Sequence, residues 1–408
     1  MTTLQGIRAR RIMTMVEGQP DIDDGLLLHR DGEIVDVGPF RDVMRTRLAS
    51  GVAMEDLGGV TLAPGLINAH THLELAHLHG RTVSGQGFAT WVRSLLSQPP
   101  EYAMDATDPE AMARACAAMR ATGTVFAGDV TSRTPHRASA AMHDAGIGHV
   151  LFLEIFGHCP PAFGPEGALG QAPGDLPPHA PPGARYLPAP RVAAHAAMAG
   201  HALYSTSPEA LCEAKAWDTA HGKPFSMHLA EHEGEEEMLA TGRGAFADLL
   251  RERGVAPDGY SAPGMSPVAW ADTLGLLDAD TLAVHCVRCS RADAALLAQR
   301  GTSVCLCPRS NAFIGVGRAP FAELEKAGVN LCLGTDSLAS NHDLDLWREA
   351  IFCLENGASH SSLRQALMWL TVNPARALKV DHVLGRLMPG MRAAYSVVPD
   401  SMAVAAAS

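Results

Sequence analysis

From Leu62 onward the chain alternates short apolar runs with helical stretches, and this alternation limits its fold more than any other feature. The runs cover residues 65–70, 124–129, 149–155, 191–196, 224–228, 281–285, 302–307 and 329–336. Their apolar character is nearly continuous, as in parallel strands covered by helices on both faces. Eight such strands with helices between them predict an α/β fold, a (β/α)8 TIM-like barrel. The helix before the second run shows the punctuation: Thr107 or Asp108 can cap it, Pro109 sits in its first turn, and Gly123 ends it. Met112, Cys116 and Met119 mark its apolar face.

Both ends of the chain read differently. Residues 6–16, 25–29 and 33–37 form short strand patterns with a turn at Asp31-Gly32, and 395–398 reads as a last strand after a helical stretch over 361–378. We therefore expect a small β-sandwich domain formed by both chain termini, residues 1–61 and 376–408, attached to a barrel over 62–375. The Pro/Gly-rich stretch from His158 to Pro190 is long for a barrel loop and is expected as a surface excursion or flap.

Charge and cysteine usage restrict partners and compartment. A net charge of −12 argues against a nucleic-acid surface, which needs clustered Lys and Arg. The first residues lack the apolar centre of a signal peptide, and no stretch is apolar for long enough to span a bilayer, so no membrane partner is expected. The nine Cys lie scattered, mostly in apolar runs, which fits buried thiols in a reducing, cytoplasmic setting. Whether the chain forms a homo-oligomer is left open by its sequence.

Residues able to bind a metal fall at the ends of several predicted strands. The first run ends in His70-Thr71-His72, and residues two apart on a strand point the same way. The fifth ends in His228, the sixth in His285 and the eighth in Asp336. In a barrel these ends meet at the mouth that carries active sites. Three His with a carboxylate suit one divalent transition ion, zinc first and iron second. Glu231, three residues past His228, is placed to shuttle a proton beside that ion. An isolated His is more often structural, so His77, His79, His143 and His232 receive that reading. Glu233, Glu235, Glu236 and Glu237 read as solvated helix charges. Cys286-Val-Arg-Cys289 has zinc-like spacing but lacks the remainder of the small zinc-deaminase signature, and reads as core. No lysine precedes Lys215, so a lysine-bridged pair of metals near the fourth strand is not expected.

Pro64 to His72, His228-Leu-Ala-Glu231, Val284-His285-Cys286, Cys307-Pro-Arg-Ser-Asn311 and Gly334 to Asn341 together resemble the amidohydrolase superfamily, in its branch of aryl deaminases and chlorohydrolases. The resemblance runs from about Pro64 to Ala377. It implies that His70, His72, His228 and Asp336 bind one ion. It further implies that His285 orients the attacking hydroxide, and that Asp336 handles one of its protons. Glu231 would protonate the ring nitrogen beside the carbon bearing the amino group and then help ammonia leave. Within the branch, Glu74 after His-Thr-His-Leu, Phe88-Ala-Thr-Trp91 and the last two motifs resemble aminodeoxyfutalosine deaminases of menaquinone biosynthesis. Their small-molecule nucleoside substrate carries an adenine, a ribose and a benzoate. By that resemblance His201 touches the purine, Glu74 accepts ribose hydroxyls, and Arg133, Arg137 or Arg309 pairs the benzoate. The family's usual Pro before this His is Gly200 here, and its usual Ala-Asp after the C-terminal Pro-Gly turn is Met391-Arg392. Close alternatives are deamination of adenosine, methylthioadenosine or S-adenosylhomocysteine, another aryl deaminase, or a chlorohydrolase. A catalytically silent metal-binding scaffold is the alternative from another class.

Overall fold

The computed structural model describes residues 4–46, 52–157, 195–254, 260–358 and 361–407. Strands β1 (Gln5–Ile12), β2 (Ile22–Arg30), β3 (Glu33–Pro39), β4 (Ala53–Asp56) and β5 (Thr61–Pro64) open the chain. The second sheet consists of β6 (Leu66–Thr71), β7 (Thr124–Thr131), β8 (Gly148–Ile155), β9 (His195–Gly200), β10 (Phe225–Leu229), β11 (Thr281–His285), β12 (Ser303–Leu306) and β13 (Asn330–Leu333), before β14 (Tyr395–Val397) returns to the first. The first sheet is mixed, in the order β14-β5-β1-β2-β3, with β4 also on β1. The expected turn between β2 and β3 is present, with Asp31 and Gly32 both at positive φ, the geometry that matches the twist of a tight hairpin. Ile7, Ile12, Leu27, Ile34, Leu62 and Leu387 form this domain's buried cluster, so the two termini share one small core.

The other eight strands run parallel and pair in sequence order. β6, β7, β10, β11 and β12 are buried at every position, which is why their sequences show no polar alternation. Closure between the first and last strand of this set uses side chains as well as backbone. Asn68 Oδ1 accepts from Thr335 N at 3.1 Å, its Nδ2 donates to Thr335 Oγ1 at 2.7 Å, and Asp336 N donates to the His70 carbonyl at 3.1 Å. The result is a (β/α)8 barrel with a small β domain built from both termini. The described fourth strand, His195–Gly200, shares His195 and Ala196 with the expected 191–196, whose residues 191–194 lie outside the described residues. Its position is set by pairing Val150 to Ile155 of β8 with His195 to Gly200, and the Ala/Gly-rich sequence there offers little pattern of its own. The insertion at 158–190 lies outside the described residues.

The helix over Pro109–Ala121 begins as its sequence suggests, with Asp108 accepting from Glu110 N at 2.9 Å. No helix among the described residues is long and apolar enough to cross a membrane. The eight described cysteines are free thiols, six of them buried, and Cys286 and Cys289 are core or near-core residues.

Candidate metal centre and active site

Three imidazoles and a carboxylate converge where β6, β10 and β13 end. His72 Nε2 lies 3.1 Å from His70 Nε2 and 3.3 Å from His228 Nε2. Asp336 Oδ1 is 3.7 Å from His70 Nε2 and 3.8 Å from His72 Nε2. His228 donates from Nδ1 to the His201 carbonyl at 2.9 Å, so its Nε2 presents a lone pair to the others. Protons do not resolve this crowding. Burial first, then the neighbouring imidazoles, lowers the His72 pKa to about 3 and pushes that of His228 well below its ordinary value. Facing lone pairs on neutral rings call for a cation. Ligands about 2.0–2.1 Å from zinc at tetrahedral corners lie about 3.3 Å from one another, close to the separations between these nitrogens. The residues present therefore fit a single divalent ion.

The surrounding residues hold these groups in place. Asp336 Oδ2 accepts from Ser310 Oγ at 2.6 Å and from Ser340 Oγ at 2.9 Å. His285 Nδ1 donates to Asn311 Oδ1 at 3.0 Å, which leaves Nε2 facing the cluster. Ser310 and Asn311 both come from the helix Pro308–Ile314, started by Pro308, so one Pro-Arg-Ser-Asn sequence fixes two site residues. Arg309 points elsewhere, to Asp343 at 2.6 and 3.0 Å. Gly334 is required where β13 passes β6, because a Cβ there would meet the His70 Cβ and carbonyl at 2.8 Å. Ala230, His285 and Asp336 all adopt positive φ, a costly conformation for residues other than glycine that re-aims the chain at each strand end. Asp336 ionises readily: burial opposes it, but the neighbouring His70, His285 and His72 side chains hold its pKa well below the usual carboxylate value.

Glu231 is buried and its Oε1 lies 3.6 Å from His285 Nε2. Burial, reinforced by Asp336 and Glu235, raises its pKa well above that of an ordinary carboxyl, the direction a proton donor needs. Glu235 corrects the expectation of a solvated helix charge. It is fully buried, and its Oε2 accepts from Glu231 N at 2.8 Å, because the turn at Ala230 folds the helix start back beneath the site. His232 is structural: its Nδ1 accepts from Glu235 N at 3.2 Å, and its ring stacks on Phe88 at 3.9 Å.

A cavity of ≈ 430 Å³ opens over the cluster. Its floor includes His72, His228, Glu231, His285 and Asp336; its outer walls include Phe88, Trp91, Leu95, Phe246, Leu249 and Leu250. His201 lines it too, with Nδ1 2.5 Å from Ser205 Oγ. Glu74 also lines the cavity, but its carboxylate is committed within the chain: it accepts from Thr131 Oγ1 at 2.9 Å, from Ser132 N and Oγ at 3.2 Å, and from Arg133 N at 3.0 Å. Its expected task of accepting ribose hydroxyls thus meets competition from the whole loop after β7. Of the three arginines, only Arg133 lines the cavity; Arg137 bonds Thr107, and Arg309 is held by Asp343. Two charged lining residues were not marked by the sequence. Glu154, at the end of β8, is held protonated to about pH 8 by burial first, then by Glu74. Arg253 follows the helix Ala245–Glu252. An acid next to the end of the mostly apolar run 149–155 was the available signal for the first.

With this geometry in hand, comparison with known proteins assigns the family. Residues 61–406 match the amidohydrolase family. The chain belongs to it. As an amidohydrolase of the deaminase and chlorohydrolase branch, it is a metal-dependent hydrolase acting on carbon–nitrogen bonds other than peptide bonds. The chain is 28% identical over 394 residues to the 5-methylthioadenosine/S-adenosylhomocysteine deaminase of Syntrophobacter fumaroxidans, covering 95% of this chain and 82% of that protein. Among solved structures it resembles an adenosine deaminase from Xanthomonas campestris with bound zinc (TM-score 0.75, 25% identity, 97% of this chain and 84% of that one). It also resembles Helicobacter pylori aminofutalosine deaminase in complex with methylthio-coformycin (TM-score 0.80, 19% identity, 98% and 95%). At 19% identity this last likeness concerns the fold.

Proposed function

We propose that this amidohydrolase removes the adenine amino group of a 5′-modified adenosine by hydrolysis, with aminodeoxyfutalosine as the preferred substrate and menaquinone biosynthesis as its setting. The observation that carries the reading is Glu231, a buried carboxyl 3.6 Å from His285 Nε2 that lines the same cavity as His72, His228 and Asp336. Those four residues would hold one ion, zinc by preference, which supplies an activated water at neutral pH. His285 Nε2 orients the attacking water, and the Asp336 carboxylate takes one of its protons. Glu231 gives its proton to the ring nitrogen beside the amino-bearing carbon, which makes that carbon electrophilic. A carbon–oxygen bond forms. The amino nitrogen then takes the proton held by Asp336 and leaves as ammonia. The new hydroxyl returns a proton to Glu231 as the ring carbonyl forms, so the carboxyl ends as it began.

The preference for aminodeoxyfutalosine draws on the outer cavity, where apolar walls from two helices and the nearby Arg133 and Arg253 suit a benzoate. A second reading, a methylthioadenosine or S-adenosylhomocysteine deaminase, is favoured by the name of the Syntrophobacter relative. Ammonia release from aminodeoxyfutalosine, adenosine, methylthioadenosine and S-adenosylhomocysteine decides between them. A kcat/KM for the first at least about tenfold above the rest is expected; efficient turnover of another beside negligible turnover of the first would overturn the specific assignment. Glu231→Gln should lower kcat by about 100- to 10,000-fold with metal content intact. Unchanged turnover in that variant would remove the proposed proton carrier.

A further inference from the structure

Four acidic side chains line the cavity: Glu74, Glu154, Glu231 and Asp336. Three have their work assigned by their contacts. Asp336 Oδ1 faces the His cluster while Oδ2 accepts from two serines, Glu231 sits against His285, and Glu74 is occupied by the loop after β7. Glu154 remains. Its side chain is 10% exposed and its Oε1, 3.8 Å from His228 Nδ1, has no hydrogen-bond partner among the described residues. His228 Nδ1 already donates to the His201 carbonyl, so it does not satisfy this oxygen. A buried acceptor left without a donor is unfavourable by roughly 1–3 kcal/mol unless something fills the place.

The position of Glu154 indicates which donor would do so. It ends β8, two strands from β10, whose end leads to Glu231, and His201 follows β9 between them. A purine whose reacting edge met Glu231 and whose ring lay along His201 would carry its sugar past β9, on the β8 side. Sugar hydroxyls are donors and need acceptors there. We infer, resting on the nucleoside reading above, that Glu154 accepts a ribose hydroxyl of the substrate and so selects ribonucleosides over their deoxy counterparts. Glu74, whose oxygens serve Thr131, Ser132 and Arg133, shapes the adjoining wall as a positioning residue. A carboxyl keeps an acceptor lone pair in either protonation state, so the assignment does not depend on the charge of Glu154.

The test compares adenosine, 2′-deoxyadenosine and 3′-deoxyadenosine on the metal-loaded wild type and on Glu154→Leu, Glu154→Gln and Glu74→Gln. The wild type should favour adenosine over at least one deoxy compound by about 10- to 100-fold in kcat/KM. Glu154→Leu should lose that preference, its loss in kcat/KM falling on adenosine at least about tenfold more than on the same deoxy compound. Glu154→Gln, which keeps a carbonyl acceptor, should recover part of it, and Glu74→Gln should lower all three about equally. Calorimetric binding of inosine and its two deoxy counterparts gives the same comparison without turnover, and thermal melting shows that each variant is folded. Equal losses on all three nucleosides in Glu154→Leu, or a wild type indifferent to both hydroxyls, would overturn the inference and leave the deaminase reading standing. Absence of turnover and of binding for these nucleosides and for aminodeoxyfutalosine, methylthioadenosine and S-adenosylhomocysteine would instead overturn that reading, and this inference with it.

Discussion

The floor of the cavity and its outer lobe are built on opposite principles. On the floor the reactive side chains are set by directional hydrogen bonds. Asp336 is held by Ser310 and Ser340, His228 by the His201 carbonyl, His285 by Asn311, and the backbone of Glu231 by Glu235. The lobe is made of packed apolar side chains, with Phe88 set against His232, Tyr204 and Phe246 at ring distances of 3.9, 6.4 and 5.6 Å. A floor fixed by directional bonds suits bond-making, where small displacements cost rate. A lobe held by non-directional packing can differ between relatives without disturbing the chemistry below it.

The contrast can be broken experimentally. Its largest expected consequence is that removing the ion with a chelator lowers turnover by on the order of 1000-fold, and that one equivalent of zinc restores it. Turnover unaffected by chelation with metal verified absent would contradict the role given to the floor. Ser310→Ala, which frees one of the two bonds to Asp336 Oδ2, should lower kcat or metal affinity about 10- to 100-fold with little change in KM for the metal-loaded enzyme. Trp91→Ala in the lobe should do the reverse, raising KM about tenfold for the best 5′-modified substrate with kcat within a factor of two. Parallel losses in kcat would mean that lobe and floor are not separable.

The smallest effect concerns pH. Burial raises the pKa of Glu235 to about 7, against the opposing backbone hydrogen bonds from Glu231 and Ala230. The folded state therefore keeps a proton that the unfolded chain gives up near pH 4.3. This contribution to stability is fully present below that value, declines as pH rises toward about 7, and levels off above it. Glu235→Gln should flatten that decline in denaturant midpoints measured between pH 5 and 7.5. An unaltered slope would show that Glu235 does not carry it.

The floor was legible in the sequence because chemistry forces its residue types onto strand ends at recognisable spacing: His70 and His72 two apart, and His228, His285 and Asp336 each closing an apolar run. The same periodicity gave the barrel. The lobe was not legible, because residues 88–96 and 245–252 meet only through tertiary packing and their apolar residues read as ordinary core. Glu235 was misread because a run of acids near a helix start is normally solvated, and only the left-handed turn at Ala230 brings this one beneath the site. Glu74 was read without the donors that occupy it, which lie 57–59 residues away after β7.

Anomalous diffraction from crystals of the metal-loaded protein tests the central claim most directly. The expected result is one ion per chain, bound by Nε2 of His70, His72 and His228 and by Oδ1 of Asp336, with the Glu231 carboxyl facing it across the cavity. An ion bound elsewhere, or a second ion of equal occupancy bridged within the same mouth, would contradict the single-metal deaminase described above.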